Sequence, residues 1–342
     1  GNACQRLRSP RIRYDDILED AVSTLKERLQ HPQIKRESFE DYQTVGIIGR
    51  GGYGDVLMVT HVKTKEFYAA KRQSKRNVIL RNLLEKLQNE RLILSAVDFR
   101  FIVKLIACCK DHTYVYFITE LALAGNFEEH REGTVLTEFE VCFYVGQVVL
   151  ALEYLHAGDI IHRDIKTSNL LVAHDGYLKL TDFGLSKHMT ESKTYSIVGT
   201  AVHMAPEVLL QNGHGKGADW WALGTLTYYL LFGKHAFPRM PHINIILQLL
   251  PTIIPNERSE NARRFVQMLL HQDPNARLGV VANGAAGVKE HAFFSKLKWT
   301  KLYQKKYPPP IVNDEDPRVT PLNNAGQADE STGGYEREFE FF

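Results

Sequence analysis

The sequence predicts an α+β fold with two lobes, a small β-rich lobe followed by a larger helical lobe. Strand-like alternation with short polar turns runs from Tyr42 to about Lys71. Helical periodicity dominates from Thr137 onward. The chain has 342 residues, of which 44% are apolar, and this is enough for two packed units with a substantial core.

An extended arm and an amphipathic helix are expected before the first strand, in residues 1–41. The arm has few apolar residues and carries four arginines, Arg6, Arg8, Arg11 and Arg13. Apolar residues then follow a helical spacing from Asp15 to Leu29, and Pro32 lies just past the end of that helix. Asp15 and Asp16 suit the positive N-terminal end of the helix.

The rest of the chain divides into three predicted parts. The small lobe spans residues 42–122, and the larger lobe spans residues 123–297. The strongest helical segments of the larger lobe are Thr137–His156, Gly217–Phe232 and Asn261–Leu270. The tail, residues 298–342, has little periodicity. Its terminal Phe339 and Phe342 are expected to dock on the small lobe, because exposed aromatic rings would leave apolar area in water.

Composition argues against several classes of function. Lys and Arg total 42 against 40 Asp and Glu, and a net charge of +2 gives no reason to expect nucleic-acid binding. No apolar run approaches the length of a membrane span, and no secretory signal pattern is present. The cysteines lack metal-ligand spacing, which predicts reduced thiols in a cytoplasmic protein; they are Cys4, Cys108, Cys109 and Cys142.

The glycine-rich stretch GRGGYG follows the first predicted strand. A G-x-G-x-x-G pattern alone is weak evidence, since dinucleotide sites and ordinary β-turns are alternatives. A dinucleotide site needs the glycines to open a helix, whereas here they lead into the strand-like DVLMVTHV. A glycine hairpin over a triphosphate fits better, because bare backbone N–H groups approach phosphates closely. The glycines are Gly49, Gly51, Gly52 and Gly54.

Order and spacing of five segments sharpen this interpretation. After the glycines come AAK with Lys71, a helix with Glu90, HRDIKTSN from His162 to Asn169, DFG at Asp182 and APE ending at Glu207. This order matches the parts of protein kinases. The sequence therefore resembles the eukaryotic protein kinases, which implies their two-lobed fold and phosphoryl transfer to protein substrates.

Further segments narrow the resemblance to the branch of cyclic-nucleotide-regulated kinases, and most closely to the catalytic subunits of cAMP-dependent kinases. They are ADWWALGTLTYYLLFGKHAFP, NARLG and the terminal Phe-x-x-Phe. The likeness covers nearly the whole chain and is strongest from about Tyr42 to Trp299. A competing hypothesis is a scaffold or binding protein on a kinase fold with little turnover, and the complete catalytic set argues against it.

The resemblance implies a site for ATP and Mg²⁺. Lys71 would hold the α- and β-phosphates and would itself be held by Glu90. Asp182 and Asn169 would bind magnesium through oxygen atoms. The residues expected around the adenine are Val56, Ala69 and Leu171, together with the main chain of Glu120 and Ala122.

The resemblance also implies catalytic roles. Asp164 would accept the proton of the substrate hydroxyl, Lys166 would meet the γ-phosphate, and Thr200 would hydrogen-bond near Asp164. The segment DIKTSN with its lysine favours serine and threonine acceptors. Three further residues are expected to be structural: Glu207 and Arg277 as a buried salt bridge, and Asp219 as an anchor for the catalytic loop.

Ser196, in the activation segment, stands where the related kinases carry a phosphorylated residue. Three cations match the positions that would gather around such a phosphate, Arg163, Lys187 and Lys86. Several cations near one hydroxyl make a phosphate site physically sensible. An unmodified serine in a loop is the alternative.

The match fails where the related kinases select arginine-rich substrates. Their carboxylates carry over to three positions that are not acidic here, Asn126, Ser168 and Tyr229. Val202 replaces a further acidic residue, while the pocket after the acceptor stays apolar, with Ile197, Ala201 and Met204. Each charge-assisted hydrogen bond contributes about 1.5–3 kcal/mol. The substrate preference is therefore predicted to be altered and not arginine-directed.

Regulation and location give two last expectations. Lys234 and Ile246 replace aromatic contacts of an inhibitor-binding pocket, which argues against control by a regulatory subunit. Gly1 resembles a myristoylation site, and Cys4 is a candidate for a second acyl chain. Stable membrane association needs two such signals. The alternative is that Gly1 is a residue left by cloning before Asn2.

Overall fold

The small lobe is built on a five-stranded antiparallel sheet. The computed structural model describes residues 13–51, 54–122, 124–131, 136–237, 254–281, 283–311, 319–320 and 335–342. The strand order is β1-β2-β3-β5-β4. The strands are β1 (Tyr42–Gly51), β2 (Gly54–His61), β3 (Phe67–Ser74), β4 (Leu105–Lys110) and β5 (Tyr114–Glu120). The predicted β-rich lobe is confirmed.

Three helices accompany this sheet, α1 (Tyr14–Gln30), α2 (Lys75–Leu80) and α3 (Leu84–Ala96). Helix α1 is one residue longer at each end than the sequence predicts. Its Leu25 is fully buried, and the Tyr14 hydroxyl donates to Glu153 Oε2 at 2.9 Å. Since Glu153 belongs to the next lobe, α1 is tied to the larger lobe as well.

The larger lobe is helical, as predicted. Its helices are α4 (Phe127–Arg131), α5 (Glu138–Ala157), α6 (Pro206–Leu209), α7 (Gly217–Phe232), α8 (Glu260–Leu269), α9 (Ala285–Glu290) and α10 (Trp299–Tyr303). Helix α5 begins at a capping box, in which Thr137 and Glu140 satisfy each other's backbone N–H groups. Helix α7 ends at Gly233, which takes the left-handed conformation at φ 73° that favours glycine.

Four short strands carry the catalytic segments between α5 and α6. Strand β6 (Ile160–Ile161) pairs with β9 (Lys187–His188), and β7 (Leu170–Val172) pairs with β8 (Leu178–Leu180). The stretch HRDIKTSN leaves β6 and enters β7. The DFG segment follows β8. These two pairings therefore bring the two segments side by side beneath the small lobe.

The predicted salt bridge between Glu207 and Arg277 is confirmed. Arg277 is fully buried, and its two terminal nitrogens donate to the Glu207 carboxylate oxygens at 2.7 and 2.9 Å. Further donation to the carbonyl oxygens of Gly217 and His271 uses the rest of the guanidinium. Such a fully paired buried ion has few other arrangements open to it.

The last residues of the tail lie against the small lobe. Phe339 and Phe342 are buried, and the Phe342 ring meets the Phe117 ring edge-on with 5.2 Å between centroids. The Arg91 guanidinium lies 4.8 Å from the centre of the Phe341 ring. Burial of these rings removes apolar area from water, as expected for the end of a docked segment.

Several predicted features lie outside the described residues, namely Gly1, Cys4, Gly52 and Ile246. Within the described ranges, no helix is both long and apolar enough to cross a membrane. Cys108, Cys109 and Cys142 are buried free thiols. Burial raises the pKa of each of these three thiols to about 12, so they remain protonated and unreactive at neutral pH.

Candidate active site

Lys71 joins three elements of the molecule. From β3, its Nζ donates to Glu90 Oε1 on α3 at 2.7 Å and to Asp182 Oδ1 of the DFG segment at 2.9 Å. Burial opposes the ammonium, but the charges of Glu90 and Asp182 outweigh it and raise the pKa of Lys71. Lys71 therefore stays charged and holds the small lobe, α3 and the DFG segment in one arrangement.

Gly184 of the DFG segment makes this arrangement possible. A Cβ at this position would lie 3.3 Å from Glu90 Oε2 and 3.4 Å from Asp182 Oδ1. The first distance is tighter than ordinary van der Waals contact, and the second lies at the short end of the ordinary range. The glycine lets the backbone approach the charged trio of Lys71, Glu90 and Asp182 without displacing it.

Asp182 and Asn169 fit a magnesium ion. The Lys71 ammonium lowers the pKa of Asp182 despite its burial, so this carboxylate is ionised at neutral pH. The Asn169 Nδ2 donates to Asp164 O and to Asp164 Oδ2, both at 2.9 Å. Its Oδ1 receives no hydrogen bond from the described residues and is left for a cation.

The donor set also agrees with the preferences of that metal. Magnesium takes oxygen ligands and is commonly held by one or two carboxylates together with substrate phosphates. Among the described residues, no cluster of three or more His, Cys, Asp and Glu side chains forms an all-protein metal site. Asn169 and Asp182 therefore suit a metal that shares its coordination with phosphate.

The Asp164 carboxylate is buried and held on both oxygens. Oδ1 accepts from Thr200 Oγ1 at 2.7 Å, and Oδ2 accepts from Asn169 Nδ2 at 2.9 Å. Lys166 Nζ lies 2.8 Å from Asp164 Oδ2 and donates to Thr200 Oγ1 at 2.8 Å. The structure thus brings four predicted site residues into one hydrogen-bonded cluster, namely Asp164, Lys166, Asn169 and Thr200.

Asp219 fixes the backbone that carries this cluster. It is fully buried and accepts hydrogen bonds from the backbone N–H groups of His162 at 2.9 Å and Arg163 at 2.7 Å. His156 Nε2 lies 2.8 Å from Asp219 Oδ2, the oxygen that also accepts from the His162 N–H. Arg163 has the left-handed φ of 69°, a strained backbone for this residue. The predicted anchoring role of Asp219 is confirmed.

The described glycines of the GRGGYG stretch serve different purposes. A Cβ on Gly54 would lie 1.9 Å from the Arg72 carbonyl oxygen, so glycine is required there for β2 to pack against β3. A Cβ on Gly49 would meet only the Val56 side chain, at 3.7 Å. On Gly51 the nearest atom would be Gly54 O at 3.4 Å. Gly49 and Gly51 therefore leave backbone open for a ligand, whereas Gly54 is also a packing requirement that the sequence did not reveal.

The predicted adenine residues come from three elements and the end of β5. Val56 lies on β2, Ala69 on β3 and Leu171 on β7, and all three are half-buried, as are Glu120 and Ala122. The Glu120 backbone N–H donates to the Lys104 carbonyl oxygen at 3.0 Å. Any main-chain contact from Glu120 to a base must therefore come from its carbonyl oxygen.

Ser196 is in contact with one of the three predicted cations. Arg163 Nη1 donates to Ser196 Oγ at 2.8 Å. Lys187 Nζ instead donates to Thr194 Oγ1 at 3.1 Å, and Lys86 is exposed and makes no hydrogen bond or ion pair within the described residues. An unmodified hydroxyl has no net charge, so nothing here attracts a second or third cation to Ser196.

A carboxylate that the sequence reasoning missed stands beside Asn126. Glu129, one turn along α4, accepts from Asn126 Nδ2 at 2.6 Å, and its backbone N–H donates to Asn126 Oδ1 at 3.1 Å. Glu129 is exposed. The available signal was an acidic residue three positions after a helix-capping asparagine. Negative charge is therefore present near Asn126, although the residue itself is neutral.

Aromatic rings surround Tyr229, another of the predicted substrate-selection positions. Tyr229 stacks on His235 with 4.7 Å between ring centroids, and His203 meets His235 edge-on at 5.9 Å. His203 Nδ1 contacts Thr225 Oγ1 at 2.6 Å. Burial, aided by His235, lowers the pKa of His203 to about 4, so its ring is neutral at pH 7.

The apolar part of the predicted groove is partly exposed. Ile197 is 49% exposed, and Ala201 and Val202 lie in the short helical turn that follows Thr200. Met204 packs partly buried against the core. Ser168 is half-buried, and Lys234 is exposed. These side chains give the groove apolar and neutral surfaces with one exposed cation.

A two-lobed fold with a lysine bridging two carboxylates, beside a buried aspartate and a lysine, defines the site of a phosphotransferase of the kinase class. Residues 42–294 match the family model described as protein kinase domain. The chain belongs to the protein kinase family.

Relatives place the chain near the cyclic-nucleotide-regulated kinases, which confirms the predicted resemblance. It is 36% identical over 306 residues to a cGMP-dependent protein kinase of Toxoplasma gondii, covering 87% of this chain and 31% of that protein. It is 34% identical over 287 residues to the cAMP-dependent protein kinase catalytic subunit of Dictyostelium discoideum, covering 83% and 44%. A Drosophila melanogaster cAMP-dependent protein kinase catalytic subunit 3 is 35% identical over 284 residues, covering 82% and 48%. The chain thus spans 31–48% of the length of these relatives.

Proposed function

We propose that this chain is a serine/threonine protein kinase that transfers the γ-phosphate of ATP to hydroxyl groups of protein substrates. The observation that carries the proposal is the position of Lys71, within hydrogen-bonding distance of both Glu90 and Asp182. That contact requires β3, α3 and the DFG segment to be assembled together. An assembled set is what phosphoryl transfer needs, because positioning and charge neutralisation supply most of its catalysis.

In the proposed reaction, the substrate hydroxyl oxygen forms a bond to the γ-phosphorus. The bond from that phosphorus to the β–γ bridging oxygen breaks, and ADP leaves. Asp164 accepts the hydroxyl proton, since its carboxylate is fixed by Thr200 and Asn169. Lys166 and Lys71 supply positive charge to the phosphates.

Magnesium bound by Asn169 and Asp182 would neutralise charge on the phosphate oxygens. The protein's own contribution is to keep these ligands available. Lys71 keeps Asp182 ionised, and Asp164 holds the Asn169 amide with its nitrogen inward. Loss of Lys71 as the partner of Asp182, or of Asp164 as the partner of Asn169, would remove an oxygen ligand from the metal site.

The decisive experiment is transfer of labelled γ-phosphate by the purified chain to generic protein substrates or to itself. Asp164→Asn should lower kcat by about 10²–10⁴-fold, the range expected for loss of general-base catalysis. Asn is nearly isosteric with Asp, so a melting curve should show that the variant stays folded. Equal turnover of the wild type and Asp164→Asn would favour the alternative of a kinase-fold scaffold. ATP binding alone does not separate the two hypotheses.

The substrate preference proposed here is altered relative to that of kinases that use several carboxylates. Ser168 and the Tyr229–His235 stack carry no negative charge, so a guanidinium that loses water there gains no ion pair with these side chains. Within the described residues, Glu129 is the carboxylate that is hydrogen-bonded to a predicted selection position, Asn126. The groove is therefore proposed not to select paired arginines, and any selection of a single arginine is assigned to Glu129.

The same reasoning applies to inhibitory partners. An arginine-rich pseudosubstrate would need the same carboxylates as an arginine-rich substrate, so we expect it to bind weakly. The exposed Lys234 adds repulsion toward such a segment. Control by a regulatory subunit through this groove is accordingly not part of the proposed function.

A further inference from the structure

A cationic cavity lies apart from the active site, where the link between α3 and β4 meets the end of α10. Its volume is about 350 Å³, within the range of roughly 300–1,000 Å³ that small-ligand sites occupy. None of its lining residues belongs to the ATP or substrate site described above. Four lining residues are cations and one is a carboxylate: Arg100, Lys104, Lys179, Lys305 and Asp98.

The single lining carboxylate is shared and weakly engaged. Asp98 Oδ2 lies 3.4 Å from Arg28 Nη1 and 3.6 Å from Lys104 Nζ, and all three side chains are substantially exposed. Exposed pairs of this kind contribute little. Arg100 donates to the Tyr303 carbonyl oxygen at 3.0 Å and lies 4.9 Å from that ring. It has no carboxylate partner in the described part of the chain.

The other two lining cations come from separate segments, Lys179 from β8 and Lys305 from just after α10. Lys179 is paired with Glu120 at 2.7 Å, and Lys305 is paired with Asp175. Neither of these carboxylates lines the cavity. The wall therefore presents more positive than negative charge, and like charges that converge on one space favour an anion between them.

We infer that this cavity binds a small anion that carries several phosphate groups. One phosphate would fill only part of the volume, whereas cations on separate segments can each meet a different phosphate. The Arg100 guanidinium suits phosphate because its donors form a planar fork. Walls dominated by charged side chains do not suit an apolar ligand.

Isothermal titration of the full chain with inositol hexakisphosphate tests this site without any need for turnover. The double variant Arg100→Gln/Lys305→Gln should bind at least about 10-fold more weakly, because two charge-assisted contacts to phosphate are lost. The matched control is Lys26→Gln/Lys296→Gln, which removes the same charge from two exposed lysines elsewhere. The control should retain the wild-type affinity.

Two further variants keep the result interpretable. Lys104→Gln alters an exposed side chain and should also weaken binding. It tests the site independently if melting curves show that the double variant fails to fold. Lys71→Met should leave the affinity unchanged, because Lys71 does not line the cavity. Equal affinity in the wild type and the cavity variants would overturn the inference. So would equal weakening in the control pair, or loss of binding confined to Lys71→Met.

Discussion

The catalytic loop and the substrate groove lie next to each other but are held in very different ways. In the loop, Asp164 and Asn169 are buried, and their polar atoms are tied to one another and to Thr200. In the groove, Glu129 and Ile197 are exposed, and Glu129 exchanges hydrogen bonds with Asn126. The chemistry is therefore fixed by a buried, connected network, whereas substrate selection depends on partly or fully exposed side chains.

This difference bears on which positions can vary. A change in the loop leaves a buried partner unsatisfied, which costs about 1–3 kcal/mol for each group. Asn126, Ser168 and Tyr229 are half-buried and lie outside that network. Substitutions there should therefore cost the fold less than changes in the catalytic set.

The largest predicted effect comes from breaking a buried charge pair. Arg277→Met should lower the free energy of unfolding by about 3–5 kcal/mol, because Glu207 would be left buried and unpaired. Chemical denaturation would measure this change. The matched control is Lys216→Met, which breaks an exposed pair with Asp159 of the same 2.7 Å length. That control should cost no more than about 1 kcal/mol, and similar losses in both variants would contradict the contrast between buried and exposed residues.

Negative charge added to the groove should increase its selection of arginine. Asn126→Glu/Ser168→Glu should raise kcat/KM for Arg-Arg-x-Ser peptides by about 10–100-fold, with little change in stability. Wild-type phosphorylation of these peptides should be weak. Glu129→Gln should lower any residual preference for a single arginine, with kcat unchanged. A randomised peptide-library profile of the wild type that strongly selects two arginines before the acceptor would refute the proposed preference.

Acid should destabilise the fold through its buried histidines. His203 has a pKa of about 4 in the folded chain, lowered by burial, against about 6.5 when unfolded. Its contribution to stability is fully present above pH 6.5 and is lost as the pH falls toward 4, at about 1.4 kcal/mol per pH unit. Burial also lowers the pKa values of His162 and His214, with the same sign.

Denaturation at pH 7.5 and pH 5.5 would measure this loss. His203→Gln removes one titrating group, so its stability should fall less between the two pH values than that of the wild type. An unchanged difference would show that folding does not lower the pKa of His203.

The smallest effect is expected at Ser196. If phosphate there recruits Lys86 and Lys187, Ser196→Ala should lower kcat/KM several-fold, and mass spectrometry of the active enzyme should find the phosphate. Ser192→Ala, an exposed serine of the same segment, is the control. Lys86→Ala should matter only in the phosphorylated protein. Full activity of Ser196→Ala would remove this modification from the account.

The sequence alone predicted the two lobes, the strand region that begins at Tyr42 and the bounds of the four helices α1, α5, α7 and α8 to within about one residue. It could do so because apolar residues recur about every second position in strands and every 3.6 positions in helices that have one buried face. This spacing can be read from one sequence without an alignment. The catalytic set was also predictable, since its members fall in short motifs of fixed order. Asp164 and Asn169, for instance, are five positions apart in one loop, so their proximity follows from the chain itself.

Other features depend on contacts between distant segments, and these only the tertiary structure decided. Gly54 is required because the Arg72 carbonyl oxygen lies 1.9 Å from the position that a Cβ would take there. Gly46 is required because the tail residues Val319 and Thr320 lie 2.5 and 2.7 Å from the position of its Cβ. No local pattern records such crossings. The cationic cavity beside Arg100 has the same origin, because its lining residues come from separate segments of the chain and charge acts through space.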